Sequence, residues 1–409
     1  MTQATFPRMR LSGVHRWWLA ACLVVAALAA CQPAAQVEER SGNASIAAVQ
    51  TAAAAYGAPD AGSGTNGVFT PVMREFDDYV VGCDNTGTCT LVGVPADHEE
   101  GMALMVSRTA GEKSQTRLSL LSNDALNPMG LRLDGKLFPD GAAWNATADG
   151  VGLNYGSDVE ALLGKLSDAR WLSSGKGTGH RVSLTGLKAA MLFVDDFQGR
   201  VDTPSAWIGK GNEARTPPVA APAPILANAP ASGPALGDAQ AKELAMYVRR
   251  QGGAALDKAA QALGIDSCEA DGDGGADDRT FPLTANDALV AVQCISGAYQ
   301  GSSLLFRVNR AMKAPPVVVD LPPSPGADAS SQALPALLVD PVYGSGALTS
   351  KSKGRGLGDC GDLKQWRFDG ERFVLAWSAR LDRCGGVTAD YWPVLWRSGN
   401  ADSKALEDS

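Results

Sequence analysis

Cysteine is the residue type whose spacing promises chemistry first in this chain. Cys22 and Cys31 lie in an apolar N-terminal run, and the other six are Cys83, Cys89, Cys268, Cys294, Cys360 and Cys384. No pair stands as C-x-x-C or C-x-C, the spacings a zinc site draws on, so these thiols read as disulfides rather than ligands. Cys83 and Cys89 flank Asp84-Asn85-Thr86-Gly87-Thr88, a turn of residues that tolerate positive φ, and a bridge across it is expected. For the last four, Cys268–Cys294 with Cys360–Cys384 is the favoured pairing, and re-pairing among them is the rival. Histidine is scarce, with three in the chain. His15 precedes the apolar run, and His98 and His180 stand beside Asp97 and Gly179, as solvated loop residues do. No G-x-S-x-G elbow is present.

Other constellations are partial. Ser173-Ser174-Gly175-Lys176-Gly177-Thr178-Gly179 has a phosphate loop's composition, but Gly177 stands where Ser or Thr must follow the Gly-Lys pair, so a turn is expected. Glu269, Asp271, Asp273 and Gly274 match the start of a calcium loop, yet Thr280 occupies the position of its bidentate Glu. Asp271 and Asp273 are thus only marginal metal candidates, and no cofactor is expected. The stretch from Lys351 to Gly361 sets Lys351, Lys353 and Arg355 among glycines whose N–H groups could converge on an anion or a partner. Its plainer reading is a turn into the next strand. Arg383, Asp382 and Arg397 are nearby candidates for the same cluster. The pairs Asp195/Asp196 and Asp359/Asp362 could act as acid and base on a glycan, though no spacing singles them out.

The elements that must carry these residues follow from periodicity. Tyr79, Val81 and Cys83 alternate on one strand face, with the return strand starting at Cys89. Strands fit 102–108, 117–121, 131–133, 151–154 and 181–184. Ser157-Asp158-Val159-Glu160 caps a helix whose Val159, Leu162, Leu163 and Leu166 share a face, and 187–197 is a second helix. Two short helices at 238–250 and 254–263 precede strands at 288–295, 303–307 and 317–319. Trp366 and Phe368, the Asp369-Gly370 turn, then Phe373, Leu375 and Trp377 form a hairpin pattern. The fold class expected is α+β: two β-rich domains with antiparallel sheets and a few short helices, stapled by disulfides.

Composition and charge bound the setting. Hydrophobic residues are 45% of the chain, enough for a real core, while Gly 46 and Pro 23 argue against a helical bundle. The net charge is −8, and the first thirty residues hold three arginines and no acid, so the remainder is at −11. An acidic body argues against nucleic acid as a partner.

Arg8, Arg10 and Arg16 precede the uncharged run from Trp17 to Ala30, an export leader too short for a comfortable membrane span. It ends Leu28-Ala29-Ala30-Cys31, which is similar to a bacterial lipobox. That resemblance implies cleavage before Cys31 and its acylation, each buried methylene contributing about 0.8 kcal/mol. Gln32, in place of Asp, implies sorting to the outer membrane, facing the periplasm. The expected organisation is a signal peptide over 1–30, a lipidated tether over 31–68, a β-rich domain over 69–208, a Pro/Ala-rich linker over 209–237, an α+β domain over 238–398 and a frayed tail over 399–409.

Two blocks carry a family resemblance. Phe76 to Asn85 with Cys89 resembles the opening of the bacterial family called domain of unknown function 1176. Lys353 to Gly361, then Trp366, Gly370, Phe373, Cys384 and Trp392 to Arg397, resembles its closing part. The first domain is also similar to the invasion-associated locus B family through its cysteine pair and the segment Val182 to Ala190. These resemblances imply an exported envelope protein and supply no catalytic residues. The expected role is therefore binding or envelope maintenance, with envelope proteins or peptidoglycan as partners beside the bilayer at Cys31. A wall-glycan hydrolase or transferase, and an inhibitor of a hydrolase acting through the 351–360 loop, are the alternatives.

Overall fold

The computed structural model describes residues 68–95, 101–122, 124–138, 143–147, 152–174, 180–268, 277–325 and 337–400. Cys31, His98, Gly175–Gly179, Asp271 and Asp273 lie outside them. The described residues form one compact unit.

A meander opens the fold: β1 (Val72–Phe76), β2 (Tyr79–Cys83), β3 (Cys89–Gly93), β4 (Met102–Arg108) and β5 (Thr116–Ser122) pair antiparallel in sequence order. β6 (Leu131–Leu133) and β7 (Lys136–Leu137) begin a second sheet, and β8 (Trp144–Ala146) and β9 (Gly152–Tyr155) return to the first beyond β5. Helix α1 (Val159–Leu166) starts where the Asp158 carboxylate accepts the Ala161 N–H at 3.1 Å, and it buries Leu162, Leu163 and Leu166. β10 (Trp171–Ser174) and β11 (Arg181–Ser183) complete the second sheet in the order β11-β10-β6-β7. Helix α2 (Leu187–Phe197) then crosses the first sheet.

Gly186 precedes α2 with φ +89°, and a Cβ there would stand 2.0 Å from the Phe76 carbonyl oxygen. Both the left-handed backbone and the close approach demand glycine. Gly186→Ala is expected to cost about 2–4 kcal/mol, measured by urea unfolding. A loss under about 0.5 kcal/mol, an ordinary surface value, would contradict this account.

Residues 209–237 form no helix or strand and run extended along the protein. Their backbone is tied at Ala221 N–H to Thr86 O (3.2 Å) and through paired bonds between Leu226 and Asn400. Helices α3 (Asp238–Gln251) and α4 (Gly253–Leu263) follow, then β12 (Arg279–Pro282), β13 (Asp287–Ser296), β14 (Gly301–Asn309), β15 (Val317–Val318) and β16 (Leu337–Val339) in a third sheet. The last sheet is β17 (Val342–Gly344), β18 (Ala347–Lys353), β19 (Gly361–Phe368), β20 (Phe373–Leu381) and β21 (Val394–Arg397), each pairing with the next. The architecture is α+β, β-rich, with antiparallel sheets, short helices and three disulfides.

The sheets stack through shared cores. The third sheet packs α3 and α4 on one face and the last sheet on the other. In the last sheet a register shift opposite Gln365 and Trp366 turns β20 over. Phe373 and Leu375 oppose Phe368 and Trp366 and face the third sheet, whereas Ala379 opposes Leu363 and faces the first. A bulge that flips the inward row lets one strand serve two cores. Val80, Val92 and Ala103 meet Leu363, Ala379, Leu381 and Trp392 in that second contact. All five residues of β2 are consequently buried.

Candidate functional site

The six cysteines close as Cys83–Cys89, Cys268–Cys294 and Cys360–Cys384. Cys83 and Cys89 are directly opposed in the β2–β3 register, so the bridge pins the turn between them. That turn carries Asp84, which is fully buried. Its Oδ1 accepts Thr86 N–H (2.8 Å), Thr86 Oγ1–H (2.7 Å) and Thr88 N–H (3.1 Å). Its Oδ2 accepts Arg397 Nε–H at 2.5 Å, from the last strand of the protein. Asn85 pairs with the Arg397 backbone in both directions, at 2.9 and 3.1 Å. An exchange of backbone-type bonds plus a charge-assisted one is a directional clasp rather than a generic apolar contact. Gly82 completes it, since a Cβ there would meet Pro393 at 2.6 Å.

A second latch lies at the start of β19. Asp359 accepts Arg355 Nε–H at 2.8 Å and Arg355 Nη2–H at 2.5 Å, and also the N–H groups of Gly385 (3.0 Å) and Gly386 (2.7 Å). Gly385 in turn abuts Val94 and Pro95, just past β3, and Cys360–Cys384 staples the segments that carry Asp359 and Gly385. Burial by itself raises the Asp359 carboxyl, but the Arg355 and Gly386 hydrogen bonds and the Arg355 charge outweigh it and hold the carboxyl at about 2. Because the folded value lies below the ordinary one of 3.8, this contribution to stability is full above pH 4 and is lost as pH falls toward about 2. Asp359→Asn is expected to flatten the acid limb of a stability–pH profile over that window. An unchanged limb would show that the latch carries no linked stability.

The structure divides the basic loop read from sequence. Arg355 is not a free cation for an anion; its fork is spent on Asp359. Lys351 and Lys353 lie on β18 and make no ion pair among the described residues. Gln300, at the β13–β14 tip, brackets them: its Nε2–H donates to Lys351 O and its Oε1 accepts Lys353 N–H, both at 2.7 Å. Tyr299 beside it lies against Gly356, and Tyr299 and Leu357 are both exposed. Nor do Arg383, Asp382 and Arg397 gather at this loop. Arg383 donates to Asp77 O and faces Asp78, Asp382 accepts from Arg380, and Arg397 holds Asp84.

Three of the four paired carboxylates are also engaged. Asp195 is fully buried, accepting Arg108 Nη2–H at 2.8 Å and the N–H groups of Trp207 and Ile208 at 2.9 Å. Burial lowers the Arg108 guanidinium to about 10, against the pull of Asp195. Burial raises the neighbouring Asp196 carboxyl. Asp362 is paired with Lys364 at 2.5 Å. His180 sits half-exposed, 3.6 Å from Asp124. Asp359, Cys360 and Cys384 are the group of metal-ligand types that converge among the described residues. Both sulfurs are joined to each other, so neither is available as a thiolate.

The clasp joins two segments more than three hundred positions apart, and these are the segments that carry the family resemblance. A family described as "Protein of unknown function (DUF1176)" matches residues 73–399. The chain belongs to the DUF1176 family. Its relatives include "Uncharacterized protein YpfG" of Escherichia coli (strain K12), 30% identical over 345 residues, spanning 80% of this chain and 93% of the relative. No solved structure matches it. The boundaries of the DUF1176 match take in both halves of the clasp and both segments of the Asp359 latch. Sequence reading missed the Asp84–Arg397 and Arg108–Asp195 pairs. The available signal was a lone acid inside a disulfide-closed turn; nothing local pointed to its partner.

Proposed function

We propose that this protein is an exported lipoprotein of the bacterial outer membrane, anchored through acylated Cys31 and facing the periplasm, and that its work is binding rather than catalysis. Disulfide closure carries the reading. Each of the six cysteines after Cys31 is paired, and such bonds persist in oxidising compartments outside the cytosol. The leader and the Leu28–Cys31 motif supply the route and the anchor.

The binding reading rests on the braced loop at 353–358. Arg355–Asp359 and Cys360–Cys384 hold its base, Gln300 holds its flank, and Lys353, Leu357 and Tyr299 are presented to solvent. A pre-ordered loop offering an aromatic, an aliphatic and a cation binds with little ordering cost. Inhibition of a hydrolase is one form such binding takes, since a loop braced at both ends resists cleavage in a cleft.

Two measurements test this. Metabolic labelling with an alkyne fatty acid should mark the native chain and not Cys31→Ser; an unlabelled native chain removes the anchor. Cross-linked partners from envelope extracts should be lost with Tyr299→Ala, Leu357→Ala and Lys353→Ala combined. If that variant retrieves the same proteins as the parent, the loop is not the contact surface.

A further inference from the structure

We propose that the outward face of the second sheet binds the phosphate headgroups of an anionic phospholipid bilayer, giving the protein a membrane contact separate from Cys31. The proposal deepens the envelope reading and rests on it only for the bilayer's being within reach. Register places the residues. Arg132 on β6 opposes Leu137 on β7 and Ser173 on β10, and Ser173 opposes Arg181 on β11. Directly opposed residues share a face, so Leu137, Arg132, Ser173 and Arg181 form one row across all four strands. Trp171 stands two residues before Ser173, on the same face, with the Arg181 guanidinium 4.3 Å from its ring centre. The opposite face carries Leu131, Leu172 and Val182, all buried in the first core, so this row points outward.

Charge and geometry select an oxyanion. The chain is at −8, yet neither Arg132 nor Arg181 makes an ion pair among the described residues. Two described acids nearby are engaged: Asp134 Oδ1 accepts the N–H groups of Arg170 and Trp171 at 3.0 Å, and Asp124 faces His180. Arg132 Nη1–H donates to Gly135 O at 3.2 Å, and its buried Nε–H has no hydrogen-bond partner among the described residues. Two strand spacings separate the arginines by about 10 Å at the backbone, a gap their side chains can close on one phosphate with the Ser173 hydroxyl between them.

What surrounds the row selects a bilayer over free phosphate. It ends in Leu137, which is 60% exposed, and Trp171 is the residue type that settles at headgroup level. A soluble phosphate has no use for either. Anionic leaflets attract basic side chains that approach their surface.

The test uses the full chain carrying Cys31→Ser, so its outcome is independent of acylation at that position. The protein should float with vesicles of phosphatidylcholine mixed with phosphatidylglycerol and not with phosphatidylcholine alone, and binding should weaken with added salt. Arg132→Gln with Arg181→Gln should weaken vesicle binding by about thirtyfold, Leu137→Asp should also weaken it, and Arg372→Gln, in the distant β19–β20 turn, should leave it unchanged. Equal binding by the double variant, salt-insensitive binding by the parent, or no flotation overturns the proposal. Saturable binding of inorganic phosphate without flotation would overturn it too, reassigning the row to a soluble anion. Should the double variant misfold, the lipid and salt dependence of the parent still decide the matter.

Discussion

Asp195→Ala is expected to destabilise the protein by about 3–5 kcal/mol. The carboxylate it removes is completely shielded from water and holds the Arg108 guanidinium, itself only 1% exposed, along with the N–H groups of Trp207 and Ile208. Arg108 also lies 3.8 Å over the Trp207 ring, so the stranded charge has nowhere to go without unpacking the end of α2. Removing one partner of a buried pair costs more than the pair itself contributes, because the remaining charge stays desolvated. Asp195→Leu combined with Arg108→Met should therefore recover part of the loss. Urea unfolding with disulfides intact measures both. A single variant within about 1 kcal/mol of the parent would show that solvent or a neighbour replaces Asp195, and this account of the first core would fail.

The second large effect is expected at the clasp. Asp84→Ala removes the acceptor for Thr86, Thr88 and Arg397 at once, a predicted loss of about 3–4 kcal/mol. Its signature is coupled loosening. Amide hydrogen exchange should accelerate in β2 and β3 and also in β21, which sits at the other end of the chain but touches the same carboxylate. Acceleration confined to the β2–β3 hairpin would mean that the apolar contact around Val80 and Trp392 joins the first and last sheets by itself. Arg397→Ala is the milder companion, since the Asn85 bonds to the Arg397 backbone survive it.

Much of the local structure is legible from the chain. The β2 and β3 strands, the helix capped by the Ser157–Glu160 segment, the helices after Gly237 and the β19–β20 hairpin all follow from short-range periodicity, caps and turn residues. The cysteine pairing inside the first hairpin follows from its turn length. These depend on neighbours within a dozen positions, whose side-chain spacing the backbone geometry dictates.

Long-range partners were not legible, and the reason is geometric. Alternation in β20 implies that Phe373, Leu375 and Trp377 share a face, but the register shift places Trp377 opposite Gln365, on the other side from Leu375. Period two says which residues agree with one another, not where an extra residue reverses them. Likewise Val80 reads as the outward side of a half-buried strand until the last sheet covers it. Arg355 reads as a docking cation until Asp359, itself held by the N–H groups of Gly385 and Gly386, occupies it. Residue type and spacing determine helices, strands and the stock of thiols and charges. Which charge meets which carboxylate, and which face meets solvent, is settled only when the segments close on each other in the tertiary structure, because burial and pairing are properties of that contact and not of either segment.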